Sequence, residues 1–332
     1  MSKILLEVEN LQTQFKLEKD IIRAVNGVSF SIDEGNVLGI VGESGCGKSV
    51  TALSIMRLIE PPGKVTNGKV IFHDEDEEID LMMLSDKKLE KILGNRIAMI
   101  FQDLMTSLNP VLSIGYQIME TLRVHRGLSK GEARERAIYL LQRVGISNAH
   151  QRLNDYPHEF SGGMRQRVMI AMAVACKPKL LIADEPTTAL DVTIQAQILN
   201  LLREFKNEFG MSIIIITHDL GVIAQLSDRV AVMYAGRIIE NAPVEAIFNN
   251  PQHPYTRALV ASIPRLGDQP DRLLTIEGAP PRLLNESIGC AFAPRCPYKV
   301  SRCVENRPAL VNLYATHEAA CWIAQEGALL NA

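Results

Sequence analysis

The sequence predicts an α/β fold whose core is a parallel β-sheet covered by helices on both faces. Three short runs of branched apolar residues predict buried strands, and each run is followed by a helical pattern. The strands are predicted over residues 37–41, 179–183 and 212–217, and the helices over residues 49–59, 193–209 and 220–227. Nearly continuous apolar strands that alternate with helices are typical of parallel sheets.

Composition sets the limits of this prediction. The 332 residues are 47% apolar, with 35 basic against 38 acidic side chains and a net charge of −3. At roughly 150 residues per domain this length allows two domains. The apolar share excludes a disordered chain, and the net charge argues against a general nucleic-acid binder. The longest apolar run, residues 168–176, is well short of the ~20 residues of a membrane span. No secretory signal is visible, so we expect a cytoplasmic chain that reaches a membrane only through a partner.

The remaining elements follow in chain order. Residues 5–32 predict antiparallel strands with a turn near residues 19–20, and the acidic residues 74–80 predict a solvated loop. Residues 109–167 predict a helical insertion. Residues 246–332 hold 9 of the 16 prolines and 4 of the 6 cysteines. We therefore expect a regular domain over residues 1–245 and a small cysteine-rich module over residues 246–332.

The glycine-rich loop after the first strand is the strongest functional motif. Residues 42–49 read GESGCGKS and fit the pattern G-x-x-x-x-G-K-[ST] between a strand and a helix. Glycines let backbone N–H groups turn inward as a nest for oxyanions, and the following helix adds its positive end. The expected nucleotide-binding residues here are Gly42, Ser44, Gly45, Cys46, Gly47, Lys48, Ser49 and Val50. Lys48 is expected to reach the β- and γ-phosphates, and Ser49 to bind Mg²⁺.

Two adjacent acids end the strand predicted over residues 179–183. Asp184 is expected to hold Mg²⁺ through water, and Glu185 to polarise the attacking water as a general base. The alternative is that these acids merely cap the next helix.

At residues 160–166 the chain resembles the ATP-binding cassette (ABC) family. The segment FSGGMRQ is similar to that family's signature loop, usually LSGGQ, with Phe160 and Met164 as departures. The resemblance implies a P-loop cassette: a RecA-like parallel-sheet core, an antiparallel β subdomain and a helical subdomain insertion. It also implies that Ser161 and Gly163 close on the γ-phosphate of ATP bound by the opposite subunit of a dimer.

The same resemblance assigns four further residues. Gln102 matches the glutamine that senses Mg²⁺ and γ-phosphate, Asp191 matches the loop that couples the two sites, and His218 matches the switch histidine. Phe15 matches the aromatic that stacks on adenine, with an ordinary strand aromatic as the alternative. The expected catalytic residues are thus Lys48, Gln102, Glu185 and His218. The expected Mg²⁺ ligands are Ser49, Gln102 and Asp184.

A narrower resemblance concerns the transported cargo. Residues 159–167, 249–257 and 289–298 resemble ATP-binding subunits of oligopeptide, dipeptide and nickel importers. This implies an ATPase that drives peptide uptake, peripheral to the cytoplasmic face of the inner membrane. The implied partners are two permease subunits, a second ABC ATPase subunit and, indirectly, an extracytoplasmic solute-binding protein. Residues 105–110 are expected to meet the permease. The alternatives are import of nickel or another small solute, and a cassette acting on nucleic acid outside transport, although no nucleic-acid partner is expected.

The cysteine-rich module over residues 246–332, called the tail below, contains four cysteines with the spacing C-x5-C-x6-C-x17-C. They are Cys290, Cys296, Cys303 and Cys321. The spacing lacks the C-x2-C pairs of common zinc ribbons, and thiolates also suit iron–sulfur clusters. The family resemblance favours a [4Fe–4S] cluster with a structural role. Zinc and metal-free cysteines, reduced or disulfide-linked, remain alternatives.

Overall fold

The structure is a computed structural model, and it describes residues 3–75, 77–103, 107–188, 190–263, 276–281, 283–284, 288–314 and 316–327. The chain divides into two compact units, each assembled from segments that are distant in sequence. The first unit comprises Met1–Leu5, Asp33–Asn36 and Met83–Ile215. The second unit comprises Leu6–Ile32, Val37–Met82 and Ile216–Ala332.

Within the described residues the strands are β1 (Ile4–Lys16), β2 (Ile21–Asp33), β3 (Val37–Val41), β4 (Gly63–Asp74), β5 (Glu77–Asp80), β6 (Ile97–Ile100), β7 (Leu180–Asp184), β8 (Ser212–Thr217), β9 (Arg229–Tyr234), β10 (Arg237–Pro243), β11 (Val311–Tyr314) and β12 (His317–Ala319). The α-helices are α1 (Lys48–Ile55), α2 (Asp86–Ile92), α3 (Ile114–Arg126), α4 (Lys130–Arg143), α5 (Ala149–Arg152), α6 (Gly162–Val174), α7 (Val192–Phe209), α8 (Leu220–Leu226), α9 (Val244–Asn249), α10 (Pro254–Ala261), α11 (Ser301–Glu305) and α12 (Trp322–Gln325). In this described part of the chain, no helix combines the length and the hydropathy needed to cross a membrane.

The three predicted core strands are present. Those predicted over residues 37–41 and 212–217 are confirmed as β3 and β8, and the third, β7, lies one residue further along the chain. Every residue of these strands is buried, as their apolar content requires. The helix predicted over residues 49–59 ends earlier, at Ile55. Arg57, with φ of 55°, takes the left-handed conformation that commonly terminates a helix.

The second unit contains a four-stranded sheet with the strand order β2-β1-β4-β5. The N–H of Leu17 donates to the carbonyl of Asp20 over 2.8 Å and closes the turn between β1 and β2, which confirms the predicted hairpin. Strand β1 also pairs antiparallel with β4, with Leu6 opposite Phe72.

The prediction of a plain loop over the acidic residues 74–80 was wrong. Strand β4 continues to Asp74, and residues 77–80 form β5, which pairs antiparallel with β4. Phe72, opposite Ile79, is fully buried, whereas the intervening glutamates are exposed. Because β5 is the edge strand, its acidic side chains stay in water and discourage pairing with another chain. Asp76 lies outside the described residues.

The second unit also contains a mixed set of strands in the order β11-β12-β10-β9-β3. Strand β3 pairs parallel with β9, and β9 pairs antiparallel with β10. The tail strand β12 pairs antiparallel with β10, with Ala319 opposite Glu240, and β11 follows at the edge. The C-terminal tail is therefore continuous with the strands that carry the glycine-rich loop.

The first unit contains β8, β7 and β6 in that order, with β6 and β7 parallel. Residues 109–167, all of them described, form helices and turns without a strand, as the pattern predicts. Helix α4 begins with a capping box: the Glu132 N–H donates to Ser129 Oγ, and the Ser129 N–H donates to Glu132 Oε2. It ends just before Gly145, whose φ is +78°.

A buried carboxylate connects the tail to β10. Glu240 is fully buried and accepts hydrogen bonds from the N–H groups of Gln252 and His253, over 2.7 and 2.8 Å. Its third contact is His317 Nε2 of β12, at 2.7 Å. Gln252 and His253 belong to one segment after β10, and His317 belongs to β12. The side chain of Glu240 therefore joins both of these segments to β10.

We predict that Glu240→Gln lowers the free energy of unfolding by about 3 kcal/mol, because an amide cannot accept from all three donors. Urea denaturation of the full chain measures this loss. Glu326→Gln is the matched control, since Glu326 forms an exposed ion pair with Arg302 and its loss should cost under about 1 kcal/mol. Equal losses in the two variants would contradict the role given to Glu240.

Candidate nucleotide-binding site

The glycine-rich loop connects the buried strand β3 to helix α1 in the second unit. Gly47 is the N-cap of α1 and has φ of 105°, a conformation that side chains strongly disfavour. A Cβ at Gly47 would collide with the carbonyl oxygen of Ala24, and a Cβ at Gly42 would collide with that of Met233. These two glycines are therefore required by close backbone packing. The loop tip at Ser44 and Gly45 is exposed.

The ammonium group of Lys48 lies within this loop. Lys48 is only 5% exposed, and its Nζ donates to the carbonyl oxygens of Gly42 and Glu43 over 2.8 and 3.1 Å. Burial raises the pKa of the neighbouring Cys46 thiol, which keeps it neutral, although Lys48 acts in the opposite direction. Ser49 and Val50 are half-buried in the first turn of α1. A cation and the N-terminus of a helix at one loop make an anion site.

The predicted general base lies in the first unit. Asp184, the last residue of β7, is 3% exposed, and Glu185 follows it with φ of 48°. Left-handed backbone at a residue other than glycine costs about 1–3 kcal/mol and clusters at functional sites. Glu185 Oε2 accepts from Gln102 Nε2 at 3.2 Å and from Thr188 Oγ1 at 2.7 Å. The structure thus brings Gln102 and Glu185 together.

The signature segment begins helix α6 in the first unit. Ser161 is the N-cap, and its Oγ accepts from the Met164 N–H at 3.3 Å. A Cβ at Gly163 would lie 3.3 Å from a methyl group of Ile194, so a larger side chain is excluded unless α7 gives way. Phe160 is 2% exposed, which explains why an apolar residue other than leucine is accepted there.

The other predicted residues occupy diverse positions. Asp191, in the first unit, caps helix α7 by accepting from the Ile194 N–H at 3.0 Å. His218, in the second unit, is exposed directly after β8. Phe15, near the end of β1, has its ring against Gly63, so closely that a Cβ added to Gly63 would collide with it. Their contacts with a nucleotide remain predictions. Residues 104–106 of the predicted permease-docking segment, and Ala189 before Asp191, lie outside the described residues.

No disulfide bond joins the four tail cysteines, all of which lie in the described part of the chain. Burial raises the pKa of Cys290 to about 11, and the neighbouring sulfurs of Cys303, Cys321 and Cys296 act in the same direction. A hydrogen bond from the Phe292 N–H opposes this rise. The four side chains are therefore close enough to influence one another's ionisation.

They do not form a metal centre in the described part of the chain. No group of three or more His, Cys, Asp or Glu side chains in that part is placed to hold a metal ion. The structure gives no support to the predicted metal site at Cys290, Cys296, Cys303 and Cys321.

Three side chains that contact functional residues were missed by the sequence analysis. Thr188 binds Glu185, and Tyr255 and Arg295 both bind Glu43 of the glycine-rich loop. Tyr255 lies in the segment 249–257 and Arg295 in the segment 289–298, both of which carried the resemblance. No local signal, however, links either residue to a loop more than two hundred positions away.

Comparison with known proteins identifies relatives along the whole chain. The family model described as "ABC transporter" matches residues 25–188, and the model "Oligopeptide/dipeptide transporter, C-terminal region" matches residues 239–303. A probable peptide ABC transporter ATP-binding protein of Sinorhizobium fredii is 53% identical over 326 residues, which cover 97% of this chain and 96% of that protein. The dipeptide transport ATP-binding protein DppD of Escherichia coli is 49% identical over 317 residues, covering 96% of each chain.

Solved structures agree on the fold. A dimeric ATP-binding cassette in a post-hydrolysis state with ADP and phosphate has a TM-score of 0.64 and 30% identity. It matches 72% of this chain and 99% of its own. A dimeric bacterial ABC transporter cassette has a TM-score of 0.65 and 31% identity over the same shares. The ATPase cassette fold, with mixed sheets and helices, is thus confirmed.

We predict that Gly47→Ala lowers the free energy of unfolding of the nucleotide-free chain by about 2–4 kcal/mol, through backbone strain and the collision with Ala24. Gly45→Ala is the matched control. Gly45 also has a positive φ, +78°, but open space around it, so its substitution should cost only about 1–2 kcal/mol. Urea denaturation compares the two. A Gly45 variant as unstable as the Gly47 variant would show that packing against Ala24 is unimportant.

Proposed function

The chain belongs to the ABC ATPases, among the ATP-binding subunits of peptide importers, and on this premise we propose that it couples ATP hydrolysis to uptake of dipeptides or oligopeptides. The observation that carries the catalytic part is Glu185. It lies at the end of a buried strand, in left-handed backbone, and Gln102 and Thr188 hold its carboxylate. Relatives named for peptide transport support the cargo class.

We assign roles to the site residues as follows. The loop N–H groups and Lys48 bind the phosphates of ATP, and Phe15 stacks on adenine. Glu185 accepts a proton from the attacking water, and His218 contacts the γ-phosphate. Removal of the γ-phosphate then releases the contacts that hold the closed state.

Magnesium ion fits the donor set that this chain offers. The buried carboxylate of Asp184, the hydroxyl of Ser49 and the amide oxygen of Gln102 are the hard oxygen donors that Mg²⁺ prefers. When bound, Mg²⁺ neutralises charge that develops on the phosphates.

We also propose that a second ABC ATPase subunit completes the site. The family resemblance implies that Ser161, Gly163 and Asp191 of one subunit act on the nucleotide of the other, and similar cassettes solved as dimers support the pairing of two subunits. Two permease subunits receive the movement through a surface that includes residues 105–110, at the cytoplasmic face of the membrane. A solute-binding protein delivers cargo on the other side. We further propose that residues 1–245 act as the nucleotide-binding domain and that residues 246–332 act as a cysteine-rich accessory module.

For the tail we propose that the four cysteines take up a [4Fe–4S] cluster when their thiols ionise, with zinc as the alternative. The support is chemical: four mutually interacting thiols, with N–H groups of Phe292, Tyr298 and Ala324 donating to three of the sulfurs. Hydrogen bonds of this kind tune iron–sulfur clusters. The side-chain positions themselves do not form a metal site, and no step of ATP hydrolysis is assigned to the cysteines.

We predict that Glu185→Gln retains ATP binding but lowers hydrolysis about 10²–10⁴-fold, because the amide cannot accept the proton from water. Steady-state ATPase rates and ATP titrations measure the two effects. Glu208→Gln is the control, since Glu208 pairs with Arg143 on the surface of the same unit and should leave hydrolysis unchanged. Near-normal hydrolysis by the Glu185 variant would refute the assignment of the base.

Transport is tested with the complex of this chain, its permeases, the second ATPase and the binding protein in vesicles. We predict ATP-dependent uptake of labelled dipeptide, lost with Glu185→Gln because closure no longer ends in hydrolysis. Uptake of Ni²⁺ without uptake of peptide would overturn the cargo proposal while leaving the ATPase assignment intact.

We predict that the chain purified without oxygen contains iron and sulfide and absorbs broadly in the visible range, and that replacing Cys290 and Cys303 by serine abolishes both signals. Metal analysis that finds one zinc ion per chain would support the alternative. Iron and zinc both absent from the anaerobic protein would refute metal binding by the tail.

A further inference from the structure

The tail forms an ion pair with the glycine-rich loop. Arg295 lies between Cys290 and Cys296, and its guanidinium binds the carboxylate of Glu43 in the bidentate manner, over 2.7 and 3.0 Å. The side chain of Arg295 is only 6% exposed, and that of Glu43 is 24% exposed. Bidentate, partly buried pairs of this kind combine strength with fixed geometry. The hydrogen bonds to Glu43 hold the pKa of Arg295 above its usual value.

All the hydrogen-bond donors of Arg295 are engaged. Besides the two bonds to Glu43, Nε donates to the carbonyl of Glu277 at 2.9 Å, and Nη2 donates to that of Ile276 at 3.1 Å. Nη1 also donates to Tyr234 Oη at 3.3 Å. A guanidinium has five N–H donors in a rigid fork. Its position relative to Glu43 is therefore set by the backbone of the tail and by β9.

A second residue of the C-terminal region binds the same loop residue. The N–H of Glu43 donates to Tyr255 Oη at 2.8 Å. Tyr255 is fully buried and packs against Tyr234 and Phe292, with ring centroids 4.6 and 5.5 Å apart. Burial raises the pKa of Tyr255, so its hydroxyl stays neutral. Both the side chain and the backbone of Glu43 are thus held.

Tyr255 is itself anchored. Its N–H donates to His253 Nδ1 at 3.0 Å, and the His253 N–H donates to the buried carboxylate of Glu240. Burial lowers the pKa of His253 to about 4, which keeps its Nδ1 available as an acceptor at neutral pH. On the other side of the loop, the Gly236 N–H donates to the carbonyl of Cys46 at 2.8 Å.

We propose that Arg295 and Tyr255 are positioning residues for the phosphate-binding loop. By holding Glu43, they keep the loop in the shape that receives the phosphates, so the C-terminal region sets the affinity of the chain for ATP. This rests on the proposed ATPase function. Glu43 needs no contact with the nucleotide. When its side chain and its N–H group are held, the backbone of the loop, which binds the nucleotide, is held as well. The role extends beyond stability, because a looser loop must be ordered again each time ATP binds.

The test compares Arg295→Ala, Arg295→Lys and Tyr255→Phe in the full chain by two measurements. Amide hydrogen exchange of residues 42–50 without nucleotide reports the order of the loop, and titration with Mg·ATP reports affinity. We expect faster exchange in all three variants. We expect about tenfold weaker ATP binding for Arg295→Ala and a smaller loss for the other two. Lysine keeps the charge without the fork, and phenylalanine removes only the hydroxyl.

Arg302→Ala is the matched control. Arg302 also belongs to the tail, pairs with Glu326 at 3.3 Å and stacks on Trp322, yet it has no hydrogen bond or ion pair with the loop among the described contacts. Its loss should leave loop exchange and ATP affinity unchanged. In a double-mutant cycle, Arg295→Ala should have little further effect on affinity when Glu43 is already Gln.

The outcomes separate the two proposals. If wild-type chain does not bind ATP but loop exchange responds to Arg295→Ala, the proposed ATPase function fails and the positioning of the loop stands. If ATP binds and neither exchange nor affinity changes in Arg295→Ala and Tyr255→Phe, the positioning role is overturned. A lower melting temperature without those changes would likewise reduce both residues to a structural role.

Discussion

The carboxylate of Glu240 is the contact on which the second unit depends. It is fully buried, and a buried charge is tolerated only when it is paired and hydrogen-bonded. Its three donors come from Gln252, His253 and His317, so releasing any of these segments would leave the charge under-compensated. Because an unpaired buried carboxylate would be costly, the contacts of Glu240 hold β10, the segment before α10 and the tail strand β12 together.

The glycine-rich loop is held by contacts with neighbouring strands and with the C-terminal region of the same unit. From the strands come the carbonyl groups of Met233 and Ala24, which leave no room for a Cβ at Gly42 or Gly47. From the C-terminal region come Tyr255 and Arg295, which hold Glu43. The C-terminal region thus contributes contacts to the glycine-rich loop.

Two candidate functional residues of the first unit are held by local structure instead. Ser161 and Asp191 are each the N-cap of the helix that follows, so the side chains expected to act across a dimer also stabilise the first turn of that helix. Short-range capping of this kind follows directly from residue type and spacing. Glu185, by contrast, is held in left-handed backbone by Thr188, three residues away, and by Gln102, 83 positions away in the chain.

Features that depend on near neighbours in the chain could be predicted from the sequence alone. These include the buried strands β3 and β8, the loop between β3 and α1, the helical insertion over residues 109–167, and the order of the ABC motifs. The sequence misjudged residues 74–80, because charge composition does not reveal a partner strand at a sheet edge. It also could not show that burial holds tail thiols neutral, or that Arg295 reaches Glu43. These features arise only in the folded chain, because burial and pairing across some 250 positions depend on the packing of whole elements.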